Sequence, residues 1–168
     1  KELFQNRHVL CYSSTSAKDV ASKLVEGFII ARWSERAEFG PRALGGRSIL
    51  GSPLLMQIKD RLNQIKGRQK WRPVAPIVIG ERLEDFFLGP SSSPYMTFAH
   101  QIRPEHIATL AALSHPDEST RVQTLSREFD EDLYQLLLEF GTFTGYPILV
   151  NTSMNGSGEP IIETPKQA

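Results

Sequence analysis

The 168-residue chain has a single cysteine, no net charge and no apolar run of membrane-spanning length. Each absence excludes something. With Cys11 alone, no internal disulfide can form and paired-thiol metal sites are ruled out. No stretch reaches the roughly 20 apolar residues that a membrane helix needs. Residues 1–10 lack the apolar core of a signal peptide, so a cytoplasmic protein is expected. Nineteen Lys/Arg balance nineteen Asp/Glu, which argues against bulk nucleic-acid binding. The Walker Gly-Lys-Ser/Thr, the Rossmann Gly-x-Gly-x-x-Gly and the Gly-x-Ser-x-Gly elbow are also missing. Any nucleotide must use a different cradle.

What is present suits one compact domain over residues 1–168, since 40% hydrophobic and 23% charged residues can build a core and no internal repeat divides the chain. Ser16 followed by Asp19 reads as a helix start, and Gly27 as the stop of a helix over 17–26. Residues 28–33 read as a buried strand and 48–50 as a second, with a Gly/Pro loop between them. Leu54, Leu55, Ile58, Leu62 and Ile65 repeat at helical spacing up to Gly67. Residues 73–79 contain two prolines, which predicts an edge strand or one paired only in its second half. Residues 95–102 and 121–125 are strand-like, 104–113 and 130–140 helical, and 147–150 a short buried strand running into Asn151. Thr164 and Pro165 resemble a further helix start. Alternating strands and helices predict an α/β (α+β) fold with a mixed sheet and flanking helices.

Charge is unevenly placed. Between Arg32 and Arg72, ten Lys/Arg face three acids, a local net charge of +7. Lys59 and Arg61 fit a solvated helix face; several of the others lie in Gly/Pro loops, where an anion site is the sharper reading. Four loops stand out. Residues 38–48 offer glycine N–H groups with Arg42 and Arg47 to hold phosphate oxygens, or a purely structural turn. Residues 66–73 set Lys66 and Arg72 to clamp a polyanion, with Trp71 expected in the core and Lys70 in solvent. His115 and Asp117 read as a capped turn before a strand rather than a metal or acid/base pair, with Arg121 better placed at the strand mouth. Asn151, Thr152 and Ser153 offer donors to a phosphate or carbonyl oxygen, and Glu159 a carboxylate for a ribose hydroxyl or a metal.

In this order the segments resemble the C-terminal domain of the NodU/CmcH O-carbamoyltransferases. The likeness rests on Glu38 to Leu50, Lys66 to Pro73, Pro94 to Met96, Thr144 to Pro147, Asn151 to Asn155 and Gly158 to Ile161. Gly46 stands where the family commonly has Asn, and Gln69 where it has an acid. At His115 to Thr124 the family's Asp-Gly-Thr-Ala becomes Asp117-Glu118-Ser119-Thr120. The resemblance implies a YrdC-like twisted sheet that binds carbamoyl phosphate and ATP, the ATP with Mg2+ as substrate, and makes carbamoyl-adenylate. It places Lys66, Arg72 and Arg121 on the phosphates as catalytic groups. Asn151 and Ser153 would meet the carbamoyl group or phosphate oxygens, with Arg42, Arg47, Thr152 and Glu159 as further binding residues. It also implies that this chain is part of a longer two-domain enzyme. An actin/sugar-kinase-like N-terminal domain, using iron or another divalent metal, would deliver the carbamoyl group to an acceptor hydroxyl. No metal is expected in the chain itself, and a homodimer is compatible with the sequence. The competing readings are a YrdC-like nucleic-acid-binding module, separable by its steep salt dependence, and a silent interaction domain.

Overall fold

The computed structural model describes residues 15–34 and 36–167, so Cys11 and the N-terminal ten residues lie outside the described part. Helix α1 spans Ala17–Val25, with Ser16 Oγ accepting the Asp19 N–H at 3.1 Å as its N-cap. The chain then leaves through Gly27 into strand β1, Ile30–Trp33, which pairs antiparallel with β2, Arg47–Gly51. After helix α2, Ile58–Ile65, come strand β3, Ala75–Ile79, the short helix α3, Leu83–Phe86, and strand β4, Phe87–Leu88. Strands β5, His100–Ile102, β6, Ser119–Thr120, and β7, Gln123–Leu125, lead to helix α4, Glu131–Thr144, and strand β8, Ile148–Ser153.

Five strands form a mixed sheet in the order β1-β2-β8-β3-β7, antiparallel except for the β3/β7 pair. Strands β4, β5 and β6 make a small antiparallel sheet. The period-2 alternation of strand side chains gives the large sheet two faces. Leu50, Ile77, Ile79, Leu125 and Leu149 meet Leu24 of α1 and Leu133, Leu137 and Phe140 of α4 on one face. Ile49, Val78, Ile148 and Val150 meet Ile58 and Leu62 of α2, together with Leu83, Phe87 and Ile102, on the other. The predicted mixed sheet with flanking helices is therefore the architecture found.

Several elements differ from their sequence reading, each for a physical reason. Residues 73–79 are not an edge strand, since β3 lies between β8 and β7, but the other reading, a strand paired only in its second half, holds on the β7 side. Its β7 pairing begins only at Ile77, one residue past Pro76. The edges are β1 and β7, and on β1 Trp33 is 37% exposed rather than buried. Residues 104–113 form two single 3-10 turns, Pro104–His106 and Ala111–Leu113, instead of one helix. Strand pairing at 95–102 begins only at His100, and that at 121–125 only at Gln123, because the chain leaves the small sheet at Thr120 and crosses to the large one. Helix α2 starts at Ile58, not at residue 54, and Ile65 is exposed. Helix α4 runs four residues beyond 140 through Gly141, where a Cβ would come within 2.9 Å of the Pro147 ring at the start of β8.

At the N-terminus of α4, Asp130 accepts the Leu133 N–H at 3.0 Å and receives a two-pronged bridge from Arg32 at 2.8 and 2.9 Å. Arg32 also donates to the Gly45 carbonyl at 2.7 Å. Edge strand, helix start and loop 38–47 are thereby locked together.

Candidate anion-binding site

Strand β8 carries Leu149, Asn151 and Ser153 on one face by alternation. Leu149 ends in the core under α1 and α4, while Asn151 and Ser153 extend past it. At this end of the sheet the amino ends of β3 and β7 lie alongside, with Ala75 opposite Asn151 and Gln123 opposite Ile77. Loop 38–47 folds over the same end.

That loop is held from within. Glu38 Oε1 accepts the N–H groups of Leu44 at 2.7 Å, Gly46 at 2.5 Å and Arg47 at 3.3 Å. The cluster of backbone donors that glycine makes available is thus filled by the loop's own carboxylate. A Cβ at Gly46 would lie 2.7 Å from the Arg36 carbonyl oxygen, so a larger residue there, such as the family's Asn, requires residues 34–38 to shift. Arg47, 3% exposed, donates to the carbonyls of Ser34, Arg36 and Gly46 and stacks 3.6 Å from the Trp33 ring centroid. Its guanidinium closes the loop against β1.

Lys66 follows α2 and is 4% exposed. Its Nζ donates to Ser153 O, to Ser153 Oγ at 3.2 Å, and to Asn155 O and Oδ1 at 3.0 and 2.6 Å. Burial, and secondarily the nearby Arg68 charge, push its pKa down to about 8. Arg68 donates to Asn63 Oδ1 at 2.6 Å and to the Pro73 carbonyl at 3.4 Å; burial first and Arg72 second lower its pKa. Arg72 is exposed, and its Nε donates to Gln69 Oε1 at 2.9 Å. Arg121 shares a cavity of about 30 Å³ with Pro73, Val74, Ala75 and His115. Burial, and after it the Arg42 charge, lower its pKa, which places Arg42 within electrostatic reach. Among the described residues, none of Arg42, Lys66, Arg68, Arg72 and Arg121 has a carboxylate within ion-pair distance. Uncompensated positive charge collected at strand ends suits an anion.

Asn151 is 1% exposed. Its Nδ2 donates to the Ala43 carbonyl at 2.9 Å and to Gln123 Oε1 at 2.7 Å, while Gln123 Nε2 donates to the Leu44 carbonyl at 2.7 Å. Thr152 alternates to the opposite face, away from Asn151 and Ser153. Glu159 lines a separate cleft of about 510 Å³ with Glu38, Phe39, Ser153, Ile162 and Glu163. No Lys or Arg lines that cleft among the described residues, while Glu38, Glu159 and Glu163 do, so the cleft wall itself offers a phosphate no cation. Ser153 is common to the cleft and the cation cluster.

The turn at 115–120 is structural in form. Asp117 accepts from Ser119 Oγ at 2.7 Å and from the Ser119 N–H at 3.2 Å, and both bonds hold its carboxyl below the usual range. Glu118 takes φ 61°, the left-handed region that glycine enters freely. The backbone expected from a glycine is therefore kept without one. Trp71 is 73% exposed rather than in the core, and Lys70 is exposed as expected.

The family described as "Carbamoyltransferase C-terminus" matches residues 21–168. The chain belongs to the carbamoyltransferase C-terminal family. Nodulation protein U of Rhizobium tropici is 43% identical over 143 residues, covering 85% of this chain and 25% of that protein. Nodulation protein NolO of Bradyrhizobium diazoefficiens is 37% identical over 160 residues, 93% of this chain and 29% of its own length. The chain thus spans about a quarter of the curated relatives it matches. Two solved structures share the fold. HypF of T. kodakarensis has a TM-score of 0.59 at 14% identity over 88% of this chain and 18% of that one. A full-length HypF in a phosphate- and nucleotide-bound form has 0.61 at 16% over 95% and 19%.

Sequence reasoning passed over four residues that the structure sets in this region: Glu38, Arg68, Gln123 and Asn155. Gln123 had a readable signal, a long polar side chain in a short strand whose neighbours are apolar or small. Glu38 had none, because an acid in a basic loop reads as solvent-facing until the loop closes around it.

Proposed function

We propose that the chain is the carbamoyl-activating domain of an O-carbamoyltransferase acting in the cytoplasm. It binds carbamoyl phosphate and ATP, forms carbamoyl-adenylate, and passes the carbamoyl group to an acceptor hydroxyl through an N-terminal sugar-kinase-like domain of the same polypeptide. The observation that carries this reading is a set of cations without acid partners among the described residues: Lys66 on Ser153, Arg68 beside Lys66, Arg72 beside Arg68, and Arg121 near Arg42 in the cavity lined by Ala75, the register partner of Asn151. Both substrates are polyanions, and phosphoryl chemistry depends chiefly on placing and neutralising charge.

The balanced step uses one water. Carbamoyl phosphate and water give carbamate and inorganic phosphate. A carbamate oxygen then attacks the α-phosphorus of ATP, and the bond to pyrophosphate breaks. No protein nucleophile is required. Lys66, Arg72 and Arg121 hold the phosphates, with Arg42 supporting Arg121. Asn151 and Ser153 hold the carbamoyl group. Arg47 and Thr152 shape the surrounding loop and strand. The larger cleft, with Phe39 and prolines on its wall, suits the adenosine, and Glu159 its ribose hydroxyl. Among the described residues no three His, Cys, Asp or Glu side chains cluster to hold a metal. Mg2+ enters with ATP as substrate and iron or another divalent ion is assigned to the N-terminal domain, both on the strength of the family resemblance.

Arg121→Ala in the full polypeptide tests the proposal. It should abolish ATP- and carbamoyl-phosphate-dependent pyrophosphate release while circular dichroism stays unchanged. Normal turnover in the folded variant would remove the assignment.

A further inference from the structure

Two backbone carbonyls fix the orientation of two buried amides. The Leu44 carbonyl accepts from Gln123, so Gln123 must present its NH2 there and turn its oxygen toward Asn151. Asn151 then faces two acceptors at once, Gln123 Oε1 and the Ala43 carbonyl, and must present its own NH2 to both. A flip of either amide would set oxygen against oxygen. The consequence falls on the remaining atom: Asn151 Oδ1 is buried and has no hydrogen-bond partner among the described residues. An acceptor left in this state is costly, and a donor is what relieves it.

The oxygen belongs to a residue whose register partner, Ala75, lines the cavity shared with Arg121. A phosphate oxygen cannot satisfy it, being an acceptor itself. An N–H group can. We infer that Gln123 is a positioning residue that sets the Asn151 amide so that its carbonyl oxygen meets an N–H donor of the substrate. This arrangement selects a carbamoyl group over an acetyl group of nearly the same shape. The inference rests on the proposed function, since it takes the ligand to be an acyl phosphate held by the neighbouring cations.

Carbamoyl phosphate and acetyl phosphate differ at this point only by NH2 against CH3. Calorimetric titration of both into the full polypeptide reads the discrimination directly and needs no variant. Carbamoyl phosphate should bind about 10- to 100-fold more tightly, the span expected when a buried acceptor is left unmet by the analogue. Gln123→Met removes one of the two acceptors that hold the Asn151 NH2, leaving the Ala43 carbonyl and the cations in place. The ratio should fall toward one, chiefly through weaker carbamoyl phosphate binding, in a variant checked for folding by its thermal transition. Should Gln123→Met not fold, Gln123→Ala takes its place with the same expectation. Equal affinities in the wild type would overturn the selection by Asn151 while leaving an acyl-phosphate site standing. A preserved ratio in a folded Gln123 variant would overturn the positioning role of Gln123 and leave the Asn151 amide set by the Ala43 carbonyl alone. Binding of neither ligand would overturn the proposed function, and this inference with it.

Discussion

One carboxylate oxygen of Glu38 lies 2.7 Å from the Leu44 backbone nitrogen and also takes the N–H groups of Gly46 and Arg47. An acid inside the most basic stretch of the chain thereby organises the loop that carries Arg42. Glu38→Ala leaves three donors without this acceptor and should lower unfolding stability by about 2–3 kcal/mol. Glu38→Gln keeps one oxygen in place and should lose less than half as much. Urea denaturation of both variants checks this; equal losses would mean that the bonds to Oε1 are not what matters.

Lys66 predicts a pH dependence. Its pKa is near 8 in the folded chain against an ordinary value of 10.5. Below about pH 8 it is protonated in both folded and unfolded states, and the penalty for burying the charge is fully present. Between about 8 and 10.5 the unfolded state holds the extra proton, so this group's contribution to stability rises with pH. Anion binding runs the other way, because only the ammonium attracts phosphate. Affinity for inorganic phosphate should therefore decline above about pH 8, by up to about tenfold per pH unit. Calorimetry at pH 7 and pH 9, with Lys66→Arg as a variant that stays charged, reads this decline. A flat wild-type profile would count against Lys66 as a phosphate contact.

Glu118 holds a left-handed backbone at φ 61° with its side chain exposed. Glu118→Gly should raise the melting temperature slightly, with relief of about 1 kcal/mol of backbone strain set against the entropy that glycine adds to the unfolded chain. Glu118→Val, branched at Cβ, should lower stability by about 1–2 kcal/mol. The order Gly above Glu above Val in thermal unfolding is the expected outcome, and a Val variant as stable as Glu would contradict the strain.

Local signals were legible where the physics is local. The Ser16 cap and the apolar face of α4 depend on residues a few positions apart, and each appears where the pattern placed it; the strand read at 147–150 is found too, but runs on through Ser153. The interior position of β3 was hidden because proline argues for an edge, and only the late start of the β7 ladder makes room for Pro76. Trp71 was hidden for the opposite reason: its size argues for the core, but the 66–73 turn holds it outside. Among the candidate site residues, Lys66 and Ser153 were each readable as polar groups at strand or helix ends. Their contact was not.

By itself, the sequence determined the three longer helices, most strands of the large sheet, the basic stretch and the family, because periodicity, turn residues and ordered motifs act over short spans of chain. Tertiary structure decided which atoms face one another. Lys66 reaches Ser153 across 87 positions and Asn151 reaches Ala43 across 108. Hydrogen bonds at such separations form only once two faces of one sheet have been packed, and in a buried network each carbonyl dictates which end of the next amide must turn toward it. The direction of the Asn151 oxygen is therefore a property of the assembled fold, set by carbonyls whose side chains carry no sign of it.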